Sequence, residues 1–180
     1  MTAPRITPGG RAETGTLARV VAGISGRVAG TAPPNLFLTM ARHRRLFRGW
    51  LRFAGRLMPG GTLPRRQTEL VILRVAHVRQ CRYEFDHHVR LGARAGVTAE
   101  DVERVREGPG APGWSPRERA LLAAADVLLE CRDLDDATWS ALRAQLDERA
   151  TIEFLLLVGH YDMLAGFITT LRIQPDRPRS

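Results

Sequence analysis

Residues 65–96 read RRQTELVILRVAHVRQCRYEFDHHVRLGARAG, and how this stretch folds decides the rest of the chain. Apolar residues recur at helical spacing from Arg65 to about Gln80, and again from Cys81 to Ala95. Gly96 suits the end of the second helix, where a left-handed residue closes the last turn. Two helices with a break between them make a hairpin. On the second, Cys81, Glu84 and His88 are spaced i, i+3, i+7. At about 100° per residue they fall within an arc of roughly 60° on one face.

A thiol, a carboxylate and an imidazole on one stripe are the raw material of nucleophilic or acid–base chemistry. Glu84 and His88 are i, i+4, close enough for the carboxylate to orient and charge the ring. His87 points to a different side of the helix. Cys81 reads two ways. At a helix start the free N–H groups favour thiolate, whereas Glu84 one turn on opposes it. A lone buried cysteine also serves as a small apolar residue. Glu69 lies inside the apolar run ELVILRVA, so its carboxylate is either paired or functional. Arg65 and Arg66, one turn earlier, are its candidate partners. On an unbroken helix Glu69 would lie about 120° from Cys81. It joins the stripe only if the chain breaks near Gln80 or packing brings the two helices together. No H-E-x-x-H spacing is present, and no metal or other cofactor is expected.

Outward from this hairpin, the 180-residue chain is long enough for one domain with a real core. Its formal charge is +8, and every basic residue outside histidine is arginine. Two cysteines fifty residues apart, with no CxxC, exclude a disulfide scaffold and a zinc module. Arginine or another polar residue interrupts each apolar run before the roughly 20 residues a membrane span needs. The N-terminus shows no secretory pattern. These features lead us to expect a cytoplasmic protein with no membrane partner.

Residues 1–33 are expected to be a flexible N-terminal segment: disordered to residue 13, then a short helix over Thr16–Val28. Pro33 and Pro34 stop anything upstream. Asn35–Met58 reads as one long amphipathic helix, with Leu36, Met40, Leu46, Phe47, Trp50, Leu51 and Ala54 on its apolar face. Arg45, Arg48, Arg52 and Arg56 form the opposing stripe. That stripe could grip an acidic partner, but aromatics for base stacking are sparse and nucleic acid is not the expected partner. Thr62 is the expected cap of the helix that begins near Pro64. Capping boxes at Thr98–Asp101 and Ser115–Glu118, and a cap at Asp135 or Asp136, start three more helices. Arg149–Ile173 is the most apolar helix, and His160 and Tyr161 on it are candidate pocket residues. Residues 174–180 read as a frayed tail. No segment alternates with strand period. The fold class is all-α, with seven or eight helices.

The strings RQTELVILRVA, CRYEFDHH and LGARAGVTAEDV, in this order, resemble the carboxymuconolactone decarboxylase / alkyl hydroperoxidase D superfamily. The similarity continues weakly through GWSPRERALLAAADVL, DDATWSAL and TIEFLLLVGHYDMLAGF, and covers roughly residues 34–173. The resemblance implies an AhpD-like helical bundle with a central helix hairpin, assembled as a homo-oligomer (trimer, hexamer or dimer). In the hydroperoxidase branch a glutamate, a CxxC pair and a histidine form a thiol site with a proton relay. Glu69 matches the glutamate, Cys81 the first cysteine and His88 the histidine. The second cysteine falls at Glu84, so no local thiol can close a disulfide.

Three functions follow as expectations. The first is a non-redox acid–base enzyme acting by decarboxylation or isomerisation on a small anionic lactone or keto acid. His88, Glu84 and Glu69 move the proton, and Arg65 or Arg66 holds the substrate carboxylate. The second is a one-Cys alkyl hydroperoxide reductase that uses Cys81 and an external thiol. The third is a non-enzymatic binding protein working through its arginine stripe.

Overall fold

A computed structural model describes residues 3–179; Met1, Thr2 and Ser180 lie outside the described residues. Among those described, the chain forms nine α-helices and no strand, as the all-α expectation requires. They are α1 (Arg11–Ala29), α2 (Asn35–Met40), α3 (Arg44–Leu57), α4 (Arg65–Val78), α5 (Arg82–Arg94), α6 (Ala99–Glu107), α7 (Pro116–Cys131), α8 (Asp136–Arg143) and α9 (Glu148–Leu171). The chain divides into two units, residues 59–166, and residues 1–58 with 167–180.

In the unit 59–166, α4 and α5 form the hairpin. Gln80 makes the break, with a left-handed φ of 54°. Cys81 then caps α5, and its N–H donates back to Ala76 O at 2.8 Å. Eight residues of α4 are buried, from Thr68 to Ala76, so this helix is the centre of the unit. Leu70, Leu73, Phe85, Val105, Trp114 and Leu122 belong to one apolar cluster with residues from α4, α5, α6 and α7. Gly92 lets α5 approach closely. A Cβ there would sit 3.2 Å from Val97 Cβ and 3.6 Å from Glu69 Cβ.

Polar braces hold the same unit. Arg74 makes two bonds to Asp126, at 2.6 and 2.8 Å, and a third to Val105 O at 2.7 Å. The boxes at Thr98–Asp101 and Ser115–Glu118 form as the residue spacing predicts. Asp135 caps α8. Thr62, however, is not the cap of α4. Pro64 takes that position, and the Thr62 N–H and hydroxyl both donate to Glu153 of α9 at 2.5 Å. The carboxylate outcompetes the helix start for Thr62 because a charge-assisted bond is the stronger one.

The unit 1–58 with 167–180 departs from the sequence expectation. Residues 11–13, expected to be disordered, form the start of α1, which kinks at Gly15 (φ 78°). Arg44 covers the kink, donating to Glu13 O at 2.9 Å and to Ala12 O. The N-terminal strand of chain is also tied: Arg5 N–H donates to Leu171 O, and Gly9 N–H to Leu38 O. The glycines that weaken α1 on propensity grounds serve its packing. A Cβ on Gly26 would fall 2.7 Å from Ala32 O, so only glycine admits the chain reversal there.

The single helix expected over Asn35–Met58 is two, because His43 interrupts it. Its Nδ1 accepts from Leu46 N–H at 3.3 Å and starts α3 afresh. The new phase turns Leu46 outward, 61% exposed, rather than onto the apolar face with Phe47. The tail is not frayed between residues 174 and 179. Asn35 binds Asp176 and the carbonyls of Gln174 and Pro175, and Ala32 N–H donates to Arg177 O. α9 is long and apolar enough, by length and composition, to cross a membrane, which corrects the expectation that no run suffices. Its residues Phe154, Leu157, Val158, Tyr161, Leu164 and Ala165 are buried in the protein's own core.

Candidate active site

Glu69 is fully buried in the middle of α4. A carboxylate there requires partners for both oxygens. Arg65, one turn earlier, brings Nη2 to 2.6 Å from Oε1. His88, across the hairpin on α5, brings Nδ1 to 2.7 Å from Oε2. The break at Gln80 is what turns α5 back so that a residue nineteen positions on faces Glu69. With Nδ1–H donated to the carboxylate, Nε2 is the ring atom available for chemistry.

This geometry corrects the sequence reading in one respect. The imidazole is oriented by Glu69 rather than by Glu84, its i, i+4 neighbour. Glu84 is itself buried, and its Oε2 has no hydrogen-bond partner. Burial pushes its carboxyl up to about 8. Near neutral pH it is therefore chiefly a carboxylic acid. The site holds two buried carboxyl groups in different settings, one held by the Arg65 ion pair and the His88 hydrogen bond, and one with an oxygen left without a hydrogen bond.

Tyr161, on α9, sets its ring edge-on to His88 with centroids 5.1 Å apart. Burial, then the charges of Glu84 and Glu69, drive its phenol well above the usual value. It stays protonated and can only donate or accept as a neutral hydroxyl. His160 packs against Tyr161 at 5.2 Å, and burial lowers it to about 4. His87 is drawn closer to the site than its side of the helix suggested. Its ring lies 5.5 Å from His88 and stacks on Tyr83. Burial first, then His88 and Arg90, lower it to about 3.

Cys81 is 2% exposed and sits at the start of α5. Cys131 is exposed at the end of α7, and neither cysteine is in a disulfide. Arg65 keeps Nη1 buried and without a hydrogen-bond partner, while Nη2 holds Glu69. Arg66 does not reach the site. Its guanidinium binds Asp101 at 2.5 Å, Glu118 at 2.9 Å and Gly96 O at 2.5 Å. Both arginines lie one turn before Glu69, and only the acidic starts of α6 and α7 separate their tasks. Among the described residues, no group of three His, Cys, Asp or Glu side chains is placed to hold a metal ion.

A buried Glu–His pair thus spans the helix hairpin, with a thiol where the second helix begins. Residues 44–127, which carry all of this except Tyr161 and His160, match the carboxymuconolactone decarboxylase family. That segment is similar to the carboxymuconolactone decarboxylase family, and the fold is AhpD-like.

No curated protein sequence matches the chain. Solved structures do. An uncharacterized peroxidase-related protein from Ralstonia eutropha JMP134, with an alkylhydroperoxidase AhpD core, is 20% identical with a TM-score of 0.85 over 97% of this chain and 93% of its own. The debrominase Bmp8 is 20% identical with a TM-score of 0.81, over 94% and 91%. A cysteine-to-alanine variant of that debrominase has been crystallised with 2,3,4-tribromopyrrole. A protein of unknown function from Agrobacterium tumefaciens, a candidate AhpD of antioxidant defence, is 19% identical with a TM-score of 0.68, over 76% and 93%. At these identities the likeness is one of fold.

Proposed function

We propose that this chain is a cytoplasmic acid–base enzyme acting without redox chemistry on a small anionic lactone or keto acid. The observation that carries the reading is the division of labour between two buried carboxyl groups. Glu69 fixes His88 at 2.7 Å, and Glu84, raised to about 8, is a proton donor at working pH. In an isomerisation, His88 Nε2 takes the proton between a carbonyl and a carbon–carbon double bond, and Glu84 delivers its own proton to the far carbon of the resulting dienolate. In a decarboxylation, the C–C bond to the carboxylate breaks, carbon dioxide leaves, and Glu84 protonates the carbon that keeps the electron pair. The unused Nη1 of Arg65 suits a substrate carboxylate. Tyr161 walls the ring of His88.

A second reading rests on Cys81 at the start of α5. A hydroperoxide would transfer one oxygen to the thiol, giving sulfenic acid and an alcohol, and an external thiol would restore the cysteine. One pair of variants separates the readings. A panel of lactones and keto acids, followed by proton uptake and carbon dioxide release, should be turned over by Cys81→Ser and not by His88→Ala. Activity lost in Cys81→Ser and kept in His88→Ala would overturn the acid–base reading.

A further inference from the structure

A cleft of about 350 Å³ lies between the kink of α1 and the start of α3. That volume is at the small end of the range for pockets that hold ligands. Its floor is apolar, because the lining residues Ala18 and Phe47 are buried. Leu17 stands at its rim, 51% exposed. The charged residues that line it are Arg44 and Arg48, both exposed, and among the described residues no acid joins them there. One wall is Gly15, whose left-handed φ of 78° would strain any side chain placed on it.

Charge indicates what fills it. The two arginines are i, i+4 on α3, so like charges stand one turn apart. Arg44 commits Nε to Glu13 O at 2.9 Å and Nη2 to Ala12 O, which leaves Nη1 toward the cleft's charge. Among the described residues, no carboxylate pairs with Arg48. Residues 1–58 and 167–180 hold 13 arginines against Glu13 and Asp176, a net of +11; residues 59–166 hold 14 arginines against 17 acidic residues, a net of −3. Both acids of the basic unit are engaged elsewhere, Glu13 with Arg42 and Asp176 with the Asn35 N–H. The unit therefore has no carboxylate of its own to spare for this cleft.

We propose that this cleft binds a small amphiphilic carboxylate, an apolar chain ending in one carboxyl group. The carboxylate takes Arg48 and the Nη1 of Arg44, since a guanidinium fork matches a planar carboxylate with directional bonds. The chain covers Phe47 and Ala18 beneath Leu17. A bare anion such as phosphate would satisfy the arginines and leave the apolar floor wet. A neutral alcohol would cover the floor and leave two like charges unrelieved. The site is independent of the acid–base reading. All of its lining residues belong to the unit 1–58 with 167–180, whereas Glu69 and His88 belong to 59–166.

Octanoate is the probe, titrated into the full chain and followed through the backbone amide NMR signals of Thr16, Leu17, Ala18 and Phe47. These signals should move together and saturate. Acetate, inorganic phosphate and octanol each carry one half of the recognition, and should need roughly ten-fold higher concentrations or more. Arg48→Gln should weaken octanoate roughly ten-fold or more, the worth of one charge-assisted bond. Leu17→Asn, which keeps both guanidinium groups, should weaken it as well. Both positions are exposed, and circular dichroism confirms each variant's fold. Signals that never saturate overturn the proposal. So do acetate or phosphate binding as tightly as octanoate, and an Arg48→Gln chain with wild-type affinity. Shifts confined to the surroundings of Arg65 and His88 would put octanoate in the candidate active site instead, and overturn it too.

Discussion

Glu69 divides its oxygens between Arg65 and His88, and this sharing sets how much one atom matters. Glu69→Gln keeps the shape but offers an amide N–H to one of two donors. The ring of His88 loses its fixed orientation, and activity should fall roughly 10²–10⁴-fold, measured as kcat/KM on whichever substrate the panel identifies. Glu84→Gln removes the isolated acid. Wild-type activity should decline on the alkaline side as Glu84 ionises near 8. The variant should be slower throughout and lack that decline. If the alkaline limb persists in Glu84→Gln, some other group gives rise to it.

At the scale of elements, the α4–α5 hairpin positions the site, and Gly92 sets its closeness. An added methyl would meet Val97 at 3.2–3.3 Å. Gly92→Ala should cost about 1–3 kcal/mol by overpacking and shift His88 relative to Glu69. Gly92→Ala combined with Val97→Ala should recover part of the activity, read by kcat with thermal unfolding as control. The hairpin was legible in the sequence because its apolar periods restart at Cys81 and Gly96 closes them. The partner of His88 was not legible. Helix spacing favours Glu84, and only the left-handed turn at Gln80 decides for Glu69. The α2–α3 break was hidden for a similar reason. Periodicity runs through Asn35–Met58, and a histidine acting as a helix cap leaves no mark on it. His87 could have been suspected from its i, i+4 relation to Tyr83, on which it stacks.

For the whole molecule, the buried titratable groups predict a stability optimum. Glu84 is raised from 4.5 to about 8, so its stabilising share is complete below 4.5 and is lost as pH rises toward 8. His87 and His160 are lowered from 6.5 to about 3 and about 4, so theirs is complete above 6.5 and is lost as pH falls. Between 4.5 and 6.5 the unfolded chain binds two histidine protons and releases one carboxyl proton relative to the fold, and stability climbs with pH. Above 6.5 only Glu84 changes, and stability declines. Thermal unfolding across pH should peak near 6.5, and Glu84→Gln should flatten the alkaline side. Periodicity made the all-helical class legible, and composition the net charge. It did not show that positive charge gathers in residues 1–58 and 167–180, because that needs the division into units.

Arg66 stands beside Arg65 yet binds Asp101 and Glu118, which are the reciprocal acids of the two capping boxes. One planar cation thus fastens the first turns of α6 and α7 to the start of α4. Three local openings that would ordinarily be independent become one event. Amide hydrogen exchange at the first turns of α6 and α7 should be slow and share a single opening rate. In Arg66→Lys, whose ammonium cannot span both carboxylates and Gly96 O, the two sets of amides should exchange sooner and at separate rates. The arginine that sequence placed at the substrate would then govern which parts of this unit come undone together.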